Sequence, residues 1–346
     1  MTDRIARLRE TLEQPLLVTN GVNVRYLCGF QSSNATLLVE PERVRLFTDF
    51  RYIEAAQGIE GVETVQSARS LVGWMSENLS GRFGFEANVL PWSFAEQLRK
   101  GGIELVPRQG LVEQLRAVKD EGELEAFRRA CAITDRMFER LVSEVPFVGR
   151  RERDVAWDIT RLYHEEGAHG EAFEAIVGSG PTGARPHARA GDRVIGAGEL
   201  VVIDTGAGVD GYFSDYTRTL ATGELDGDMR EAYDVVLAAQ QAGLDAIRAG
   251  ESGVEVDAAA RAVVEASAFA GTFGHGLGHG LGLDVHEAPR LSTESTDVLE
   301  AGNVVTVEPG IYVPGEFGIR IEDDVVVTEN GIENLTHLRK DLLEVG

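Results

Sequence analysis

The glycine-rich segment Gly274–Glu287 reads G-H-G-L-G-H-G-L-G-L-D-V-H-E. It contains three histidines: His275, His279 and His286. Successive side chains of an extended segment point to opposite faces, so the alternation predicts that His275 and His279 share a face with Leu277 and Leu281. The intervening glycines leave backbone that another strand or a substrate can approach closely. A glycine-rich turn with incidental histidines is the alternative, but a functional site needs partner residues, and this chain has them.

The partners are acidic residues in or at the end of apolar, strand-like segments: Asp204 in V-V-I-D-T-G, Asp215 in Y-F-S-D-Y-T, Glu308 in V-V-T-V-E-P-G and Glu322 in G-I-R-I-E-D. An isolated buried carboxylate is costly in free energy. Four carboxylates and a histidine therefore indicate bound cations. Two divalent metal ions bridged by carboxylates would neutralise the charge and supply an activated water.

Five motifs follow one another between Val202 and Asp323: V-I-D-T-G, F-S-D-Y-T-R-T, G-H-G-L-G-H-G-L-G-L-D-V-H-E, T-V-E-P-G and G-I-R-I-E-D. In content and order they resemble the motifs of the pita-bread metallopeptidases. That family includes methionine aminopeptidase, Xaa-Pro aminopeptidase and Xaa-Pro dipeptidase (prolidase). Together the five motifs are specific, although any one of them alone would be weak.

The amino-terminal half carries three further motifs that resemble the proline-specific branch of this family. They are N-V-R-Y-L-C-G-F at Asn23–Phe30, D-F-R-Y at Asp49–Tyr52 and R-A-V-K-D-E-G-E-L at Arg116–Leu124. The resemblance implies an α+β protein. Its amino-terminal creatinase-like α/β domain would cover residues 1–115, a linker residues 116–121, and a pita-bread catalytic domain residues 122–346.

By this resemblance, five residues bind two divalent metal ions in each subunit: Asp204, Asp215, His279, Glu308 and Glu322. Asp215 and Glu322 would bridge both ions. Asp204 would complete the coordination of one ion, and His279 with Glu308 that of the other. Carboxylate oxygens with a histidine nitrogen suit transition metals, so manganese is expected, with cobalt, zinc and iron as alternatives.

The resemblance also implies catalytic roles for residues around the metal ions. Glu308 would move a proton, first as general base and then as general acid. His187 and His286 would stabilise the tetrahedral intermediate or position the substrate. His275 would support that network.

Two arginines belong to the predicted site. Arg320 lies two residues before Glu322 and would share a strand face with it. It would orient that carboxylate through a hydrogen bond, or else form a solvated ion pair. Arg290 lies four residues after His286, where an arginine in prolidase-like relatives can bind the substrate carboxylate through two parallel hydrogen bonds. A surface arginine is the alternative.

The sequence therefore predicts a metal-dependent peptidase that cleaves the bond before proline, with Xaa-Pro dipeptidase favoured. An Xaa-Pro aminopeptidase acting on longer peptides is the alternative. A non-catalytic pita-bread binding module is a more distant one. A methionine aminopeptidase is disfavoured because that activity does not need the amino-terminal domain. The expected partners are a proline-containing peptide and a second copy of the chain in a homodimer.

Composition limits the other classes of function. The 346 residues are enough for two domains with separate cores. The formal net charge of −24 argues against nucleic acid as a partner. No apolar run approaches the roughly 18 residues of a membrane helix, and the amino terminus lacks the apolar core of a signal peptide. Two widely spaced cysteines imply no disulfide framework, so a cytoplasmic enzyme is expected.

Hydrophobic periodicity predicts the elements that carry the motifs. Helices are expected at about 122–145, ended by Pro146, and at 152–166, 229–249 and 254–269. Strands are expected at 35–39, 44–48, 304–307 and 318–327. Asp49 is expected to cap the helix that follows it. The alternative is that Asp49 lines the active site of a dimer partner.

Overall fold

The structure is a computed structural model that describes residues 2–346, with side chains described from Asp3 onwards. The chain divides into two compact units, Met1–Arg116 and Ala117–Gly346. Each unit has a hydrophobic core of its own. Within residues 2–346, no helix combines the length and the apolar character needed to span a membrane.

The amino-terminal unit is built on a mixed sheet. Its strands are β1 (Leu16–Val18), β2 (Ala35–Val39), β3 (Val44–Thr48), β4 (Glu63–Gln66), β5 (Gly81–Glu86) and β6 (Ile103–Arg108), in the order β4-β3-β2-β1-β5-β6. Its helices are α1 (Thr2–Glu10), α2 (Gly21–Cys28), α3 (Ile53–Ala56), α4 (Leu71–Asn78), α5 (Trp92–Lys100) and α6 (Leu111–Ala117). Leu17, Leu38 and Phe47 on the central strands share a core with Met75 and Leu98 on the helices. The strands predicted at 35–39 and 44–48 are confirmed.

Asp49 does not cap a helix, so that prediction is wrong. Helix α3 begins later, and its N-cap residue is Tyr52, which makes no side-chain capping bond. The buried Asp49 carboxylate instead accepts hydrogen bonds from the Arg51 main-chain N–H at 2.9 Å, from the Arg51 guanidinium at 2.7 Å and from Asn34 at 2.6 Å. The bonds from Arg51 hold the pKa of Asp49 well below its usual value. Asp49 therefore closes the turn after β3.

The carboxy-terminal unit contains longer helices and several small sheets. Its helices are α7 (Glu121–Glu144), α8 (Glu152–Glu165), α9 (Gly227–Ala246) and α10 (Gly253–Glu265). Its strands are β7 (Gly170–Glu171), β8 (Ile176–Ser179), β9 (Leu200–Thr205), β10 (Ala207–Val209), β11 (Tyr212–Phe213), β12 (Tyr216–Ala221), β13 (Gly278–Gly280), β14 (Glu287–Leu291), β15 (Val304–Val307), β16 (Gly310–Val313), β17 (Phe317–Arg320), β18 (Asp323–Thr328) and β19 (Gly331–Asn334). A short 3-10 helix covers Gly180–Thr182.

The four predicted helices are confirmed, with ends that differ by a few residues. A capping box starts α7, because the Asp120 carboxylate accepts from the Glu123 N–H and the Glu123 carboxylate accepts from the Asp120 N–H. This helix ends two residues before Pro146, as expected. Helix α10 ends at Glu265, four residues before the predicted end.

Antiparallel sheets bring the acidic segments together. One sheet has the order β12-β9-β8, another has the order β14-β13-β15-β18-β19, and β16 pairs with β17. Asp204 lies within β9, Asp215 directly before β12, and Glu308 directly after β15. The prediction of a single strand at 318–327 is wrong. Strands β17 and β18 are separate, and Glu322 lies in the break between them. The break arises because β17 pairs with β16 whereas β18 pairs with β15.

Candidate metal centre

The glycine-rich segment is only partly a strand. Strand β13 covers three residues, and the chain before Gly278 is irregular. His275 and His279 both line a cavity, but Leu277 is fully buried in the hydrophobic core. The prediction of one continuous face for these three residues is therefore wrong. Glycine is required at Gly278 because a Cβ there would lie 2.0 Å from the carbonyl oxygen of Thr306.

The predicted site residues lie around one cavity of about 510 Å³ in the carboxy-terminal unit. Its lining includes all of them: His187, Asp204, Asp215, His275, His279, His286, Arg290, Glu308, Arg320 and Glu322. Phe173 and Ile176 add apolar surface. The structure thus brings together residues that are up to 135 positions apart in the sequence, from 187 to 322.

All five predicted metal ligands line the cavity, and they are less exposed than His187 and His286. Nε2 of His279 lies 3.3 Å from Oε1 of Glu308 and 3.7 Å from Oδ2 of Asp215. One ligand atom each from Asp215, His279 and Glu322 can be chosen so that the three lie within 4.8 Å of one another. Oδ1 of Asp204 is buried, and no described residue forms a hydrogen bond with it. These side chains offer closely spaced acceptor atoms.

The electrostatics of this group fit a cation. Burial, together with repulsion from the other carboxylates, raises the pKa of Asp215 and of Glu322 well above the usual values. Burial also raises the pKa of Glu308 to about 7, and the nearby Asp204 adds to the effect. Divalent ions would relieve this repulsion, and oxygen donors with one imidazole suit them. The residues present therefore fit a divalent metal centre.

Burial and hydrogen bonds with the neighbouring main chain orient the His279 imidazole for metal binding. Burial lowers the pKa of its imidazole to about 3, so the ring is neutral. Nδ1 lies 3.1 Å from the Gly280 carbonyl oxygen. A carbonyl can only accept a hydrogen bond, so Nδ1 carries the proton and Nε2 presents its lone pair to Asp215 and Glu308. The main-chain N–H of His279 donates to Thr306 Oγ1 at 3.1 Å, which fixes the strand beneath the ring.

Arg320 contacts a different carboxylate from the one expected. Nη2 donates to Asp204 Oδ2 at 2.5 Å, whereas Nε donates to Thr217 Oγ1 at 2.9 Å. The Thr217 hydroxyl then donates to Glu322 Oε2 at 2.6 Å. Arg320 is therefore linked to Glu322 through a threonine and not directly. Its Nη1 donates to the Tyr312 hydroxyl at 2.9 Å, so the guanidinium is held on three sides.

The remaining predicted residues differ in how exposed they are. His187 and His286 are exposed, and the His286 ring lies 4.2 Å from the His279 ring, centroid to centroid. His275 is more enclosed, and its Nε2 lies 2.9 Å from the Tyr312 hydroxyl oxygen. Arg290 on β14 is the direct antiparallel partner of His279 on β13. Directly opposed side chains of paired strands lie on one face of a sheet, so Arg290 and His279 both reach the cavity.

The comparison with protein families covers almost the whole chain. Residues 125–329 match metallopeptidase family M24, and residues 4–118 match the creatinase/prolidase N-terminal domain. The chain belongs to metallopeptidase family M24. Family membership confirms the resemblance drawn from the motifs. It also confirms the α+β fold, in which a pita-bread catalytic domain follows a creatinase-like domain.

Several M24 relatives match over nearly their full length. An Xaa-Pro dipeptidase from Pyrococcus furiosus is 41% identical over 350 residues, which cover 99% of this chain and 100% of the relative. The solved structure of an Xaa-Pro dipeptidase from Bacillus anthracis has 37% identity and a TM-score of 0.95, with 99% of each chain covered. The X-Pro aminopeptidase from Thermotoga maritima has 32% identity and a TM-score of 0.89, covering 98% of this chain and 100% of that one.

Membership of M24 makes this protein a metal-dependent peptidase that uses divalent metal ions. Sequence reasoning nevertheless missed three side chains that support the M24 site: Thr217, Thr306 and Tyr312. Both threonines stand inside quoted motifs, two residues from an acidic residue on a predicted strand, and that spacing puts them on the same face as the carboxylate. Tyr312 follows the T-V-E-P-G motif and had no comparable signal.

Proposed function

We propose that the protein is an Xaa-Pro dipeptidase (prolidase), which hydrolyses the peptide bond before proline. The observation that carries this proposal is the antiparallel pairing of Arg290 with His279. It puts a guanidinium in the same cavity as the predicted metal ligands. In a dipeptide, the carboxylate lies one residue beyond the bond that is cut, and a guanidinium suits a carboxylate. The names of the Pyrococcus furiosus and Bacillus anthracis relatives support the same substrate class.

Five residues of the cavity would hold two divalent metal ions: Asp204, Asp215, His279, Glu308 and Glu322. Of these, Asp215 and Glu322 would help to hold both ions, Asp204 would help to hold one of them, and His279 with Glu308 would hold the other. Manganese is the proposed metal, with cobalt, zinc and iron as alternatives. When bound, the ions supply Lewis acidity and an activated water.

The protein's own residues would then carry the proton and hold the substrate. Glu308 would accept a proton from the attacking water and return it to the departing proline nitrogen. Its side chain is partly exposed to the cavity, whereas Glu322 is buried. His187 and His286, at the open side, would donate hydrogen bonds to the oxygen that becomes negative in the tetrahedral intermediate. His275 would support them from the enclosed side.

The assembly and setting of the enzyme are also proposals. We infer a homodimer, because the chain resembles the proline-specific branch over both halves. A cytoplasmic location is supported by Cys28 and Cys131, which are both buried and unpaired with one another. The proposed domain limits are residues 1–115 and 122–346, joined by residues 116–121.

An Xaa-Pro aminopeptidase is the second candidate. The likeness to the Thermotoga maritima X-Pro aminopeptidase, with a TM-score of 0.89, favours it. An aminopeptidase would accept peptides that continue beyond proline, so Arg290 would have no terminal carboxylate to bind next to the cut. A non-catalytic module is disfavoured because all five candidate ligands line one cavity.

The two activities are separated by hydrolysis of a matched pair of peptides, Ala-Pro and Ala-Pro-Ala-Ala, with manganese added. Ala-Ala serves as the control without proline. Cleavage of Ala-Pro alone is the expected result. Efficient release of alanine from Ala-Pro-Ala-Ala would show that the protein is an aminopeptidase and not a dipeptidase. Cleavage of Ala-Ala at the same rate as Ala-Pro would show that the enzyme is not specific for proline.

A further inference from the structure

An ion pair on α10 contacts the histidine segment from outside the cavity. Asp257 and Arg261 are one helical turn apart, with Nε to Oδ2 at 2.7 Å and Nη2 to Oδ1 at 2.8 Å. Asp257 is fully buried. Neither residue lines the cavity, and the proposed mechanism uses neither of them. The pair, with Asp257 buried and Arg261 partly exposed, is therefore a charged feature whose role the proposed activity does not explain.

Both members of the pair bind main-chain groups of the segment that carries the histidines. Arg261 donates to the carbonyl oxygens of Phe273 at 2.8 Å and His275 at 2.7 Å. The Asp257 carboxylate accepts from the Leu277 N–H at 2.9 Å. These groups belong to alternate residues, as do the groups that one edge of a strand presents to its neighbour. The ion pair thus takes the place of a neighbouring strand where the chain is irregular.

Ring contacts extend this arrangement to the His275 side chain. The Arg261 guanidinium lies over the Phe273 ring, 4.2 Å from its centroid. The Phe273 ring meets the His275 ring edge-on, with centroids 5.1 Å apart. On its other side, His275 Nε2 lies 2.9 Å from the Tyr312 hydroxyl oxygen. The backbone and the ring of His275 are therefore both held through Arg261.

We infer that the Asp257–Arg261 pair is a positioning clamp. It fixes the chain from Phe273 to Leu277, and thereby the directions in which His275 and His279 enter the cavity. The inference rests on the proposed function for its kinetic test, but not for its metal-binding test. A lysine could not replace Arg261, since the planar guanidinium contacts one carboxylate and two carbonyls at the same time.

The test compares Arg261→Gln with Arg140→Gln. Arg140 is similarly exposed and forms the same kind of pair one helical turn along α7, with Nε and Nη2 at 2.8 and 3.0 Å from Glu144, but it does not line the cavity. Two quantities are measured for each variant and for the wild type. They are the affinity for manganese by calorimetric titration, and kcat and KM for Ala-Pro with saturating manganese.

For Arg261→Gln, we expect manganese affinity and kcat each to fall by about 10- to 100-fold, as for other residues that orient metal ligands. KM should stay within about twofold, because Arg290 still binds the substrate. Arg140→Gln should match the wild type in both quantities. Arg261→Lys keeps the charge beside Asp257 without the planar fork, so it should fold and still lose about tenfold in kcat.

Folded Arg261→Gln or Arg261→Lys protein with wild-type manganese affinity and kcat would overturn the clamp, even if its melting temperature were lower. If Arg261→Gln does not fold, the manganese affinity and kcat of Arg261→Lys test the clamp instead. If the wild type cleaves no Xaa-Pro peptide, the proposed function fails, and the manganese titration still decides the clamp.

Discussion

Arg320 donates a hydrogen bond to Asp204 and reaches Glu322 only through Thr217. Nη2 of Arg320 lies 2.5 Å from Asp204 Oδ2, and Thr217 Oγ1 lies 2.9 Å from Arg320 Nε and 2.6 Å from Glu322 Oε2. One guanidinium therefore orients two of the proposed metal-binding carboxylates. The buried position of Arg320 makes these bonds stronger than they would be in water.

Replacing Thr217 by valine should weaken this arrangement with little change of shape. The variant leaves Glu322 without the hydroxyl donor and Arg320 without one acceptor. We expect kcat/KM for Ala-Pro to fall by about 10- to 100-fold, and manganese affinity to fall with it. Thr48→Val is the matched control, because Thr48 is also buried and donates to a carbonyl, that of Asn34 at 2.8 Å, in the amino-terminal unit. Equal activity in the two variants would contradict the role of Thr217.

Replacing Arg290 by methionine should affect substrates with a free carboxylate. Hydrogen bonds to charged groups contribute about 1.5–3 kcal/mol, so KM for Ala-Pro should rise by roughly 10- to 100-fold. The amide Ala-Pro-NH2 has no carboxylate, and its hydrolysis should be the same in both enzymes. Arg189→Met is the control, because Arg189 is an exposed arginine that pairs with Glu174. A similar loss of activity on Ala-Pro and Ala-Pro-NH2 would show that Arg290 does not bind the substrate carboxylate.

Replacing Asp49 by asparagine should change how stability depends on pH. Hydrogen bonds from Arg51 lower the pKa of Asp49 in the folded protein below its usual value of 3.8. A lowered folded-state pKa stabilises the protein above the unfolded-state pKa, and that contribution is lost as pH falls through the folded-state pKa. The wild type should therefore be more stable than Asp49→Asn at pH 7, by a margin that shrinks below about pH 4.

Urea unfolding at pH 7, 5 and 3 measures that margin. Glu42→Gln is the control, because Glu42 is an exposed carboxylate of the same unit. Its difference from the wild type should stay small at each pH. A constant margin for Asp49→Asn from pH 7 to pH 3 would show that the ion pair with Arg51 does not contribute through its charge.

Local patterns predicted many elements of this fold, whereas the proposed ligand set rests on the resemblance to the pita-bread metallopeptidases. The hydrophobic pattern predicts strands such as β2 and β3, and it predicts α7, which ends before Pro146. The acidic residues are candidates because each lies in or at the end of an apolar, strand-like segment, and their assignment as metal ligands rests on the resemblance. These signals lie within a few residues of one another along the chain, so a single sequence contains them.

Features that depend on distant partners could not be predicted in this way. Leu277 enters the core and not the cavity, because the Asp257–Arg261 pair on a separate helix holds the main chain around it. Glu322 lies in a break, since the strands on either side of it pair with different neighbours. The spacing of Asp257 and Arg261 indicates a helical pair, but the sequence does not show which main-chain groups that pair binds.

We propose that the carboxylates of the cavity and His279 form the metal centre of a peptidase. This proposal is tested by measuring, on one sample, the bound manganese after equilibrium dialysis and the rate of Ala-Pro hydrolysis. Asp215→Asn is compared with the wild type, because Asp215 is proposed to contact both ions and its carboxylate is repelled by its neighbours.

We expect two manganese ions per chain and cleavage of Ala-Pro for the wild type. For Asp215→Asn we expect loss of bound metal and of activity, while the amino-terminal unit remains folded. Full metal content and near-normal hydrolysis in Asp215→Asn would contradict the proposed centre, as would undiminished hydrolysis by metal-free wild type.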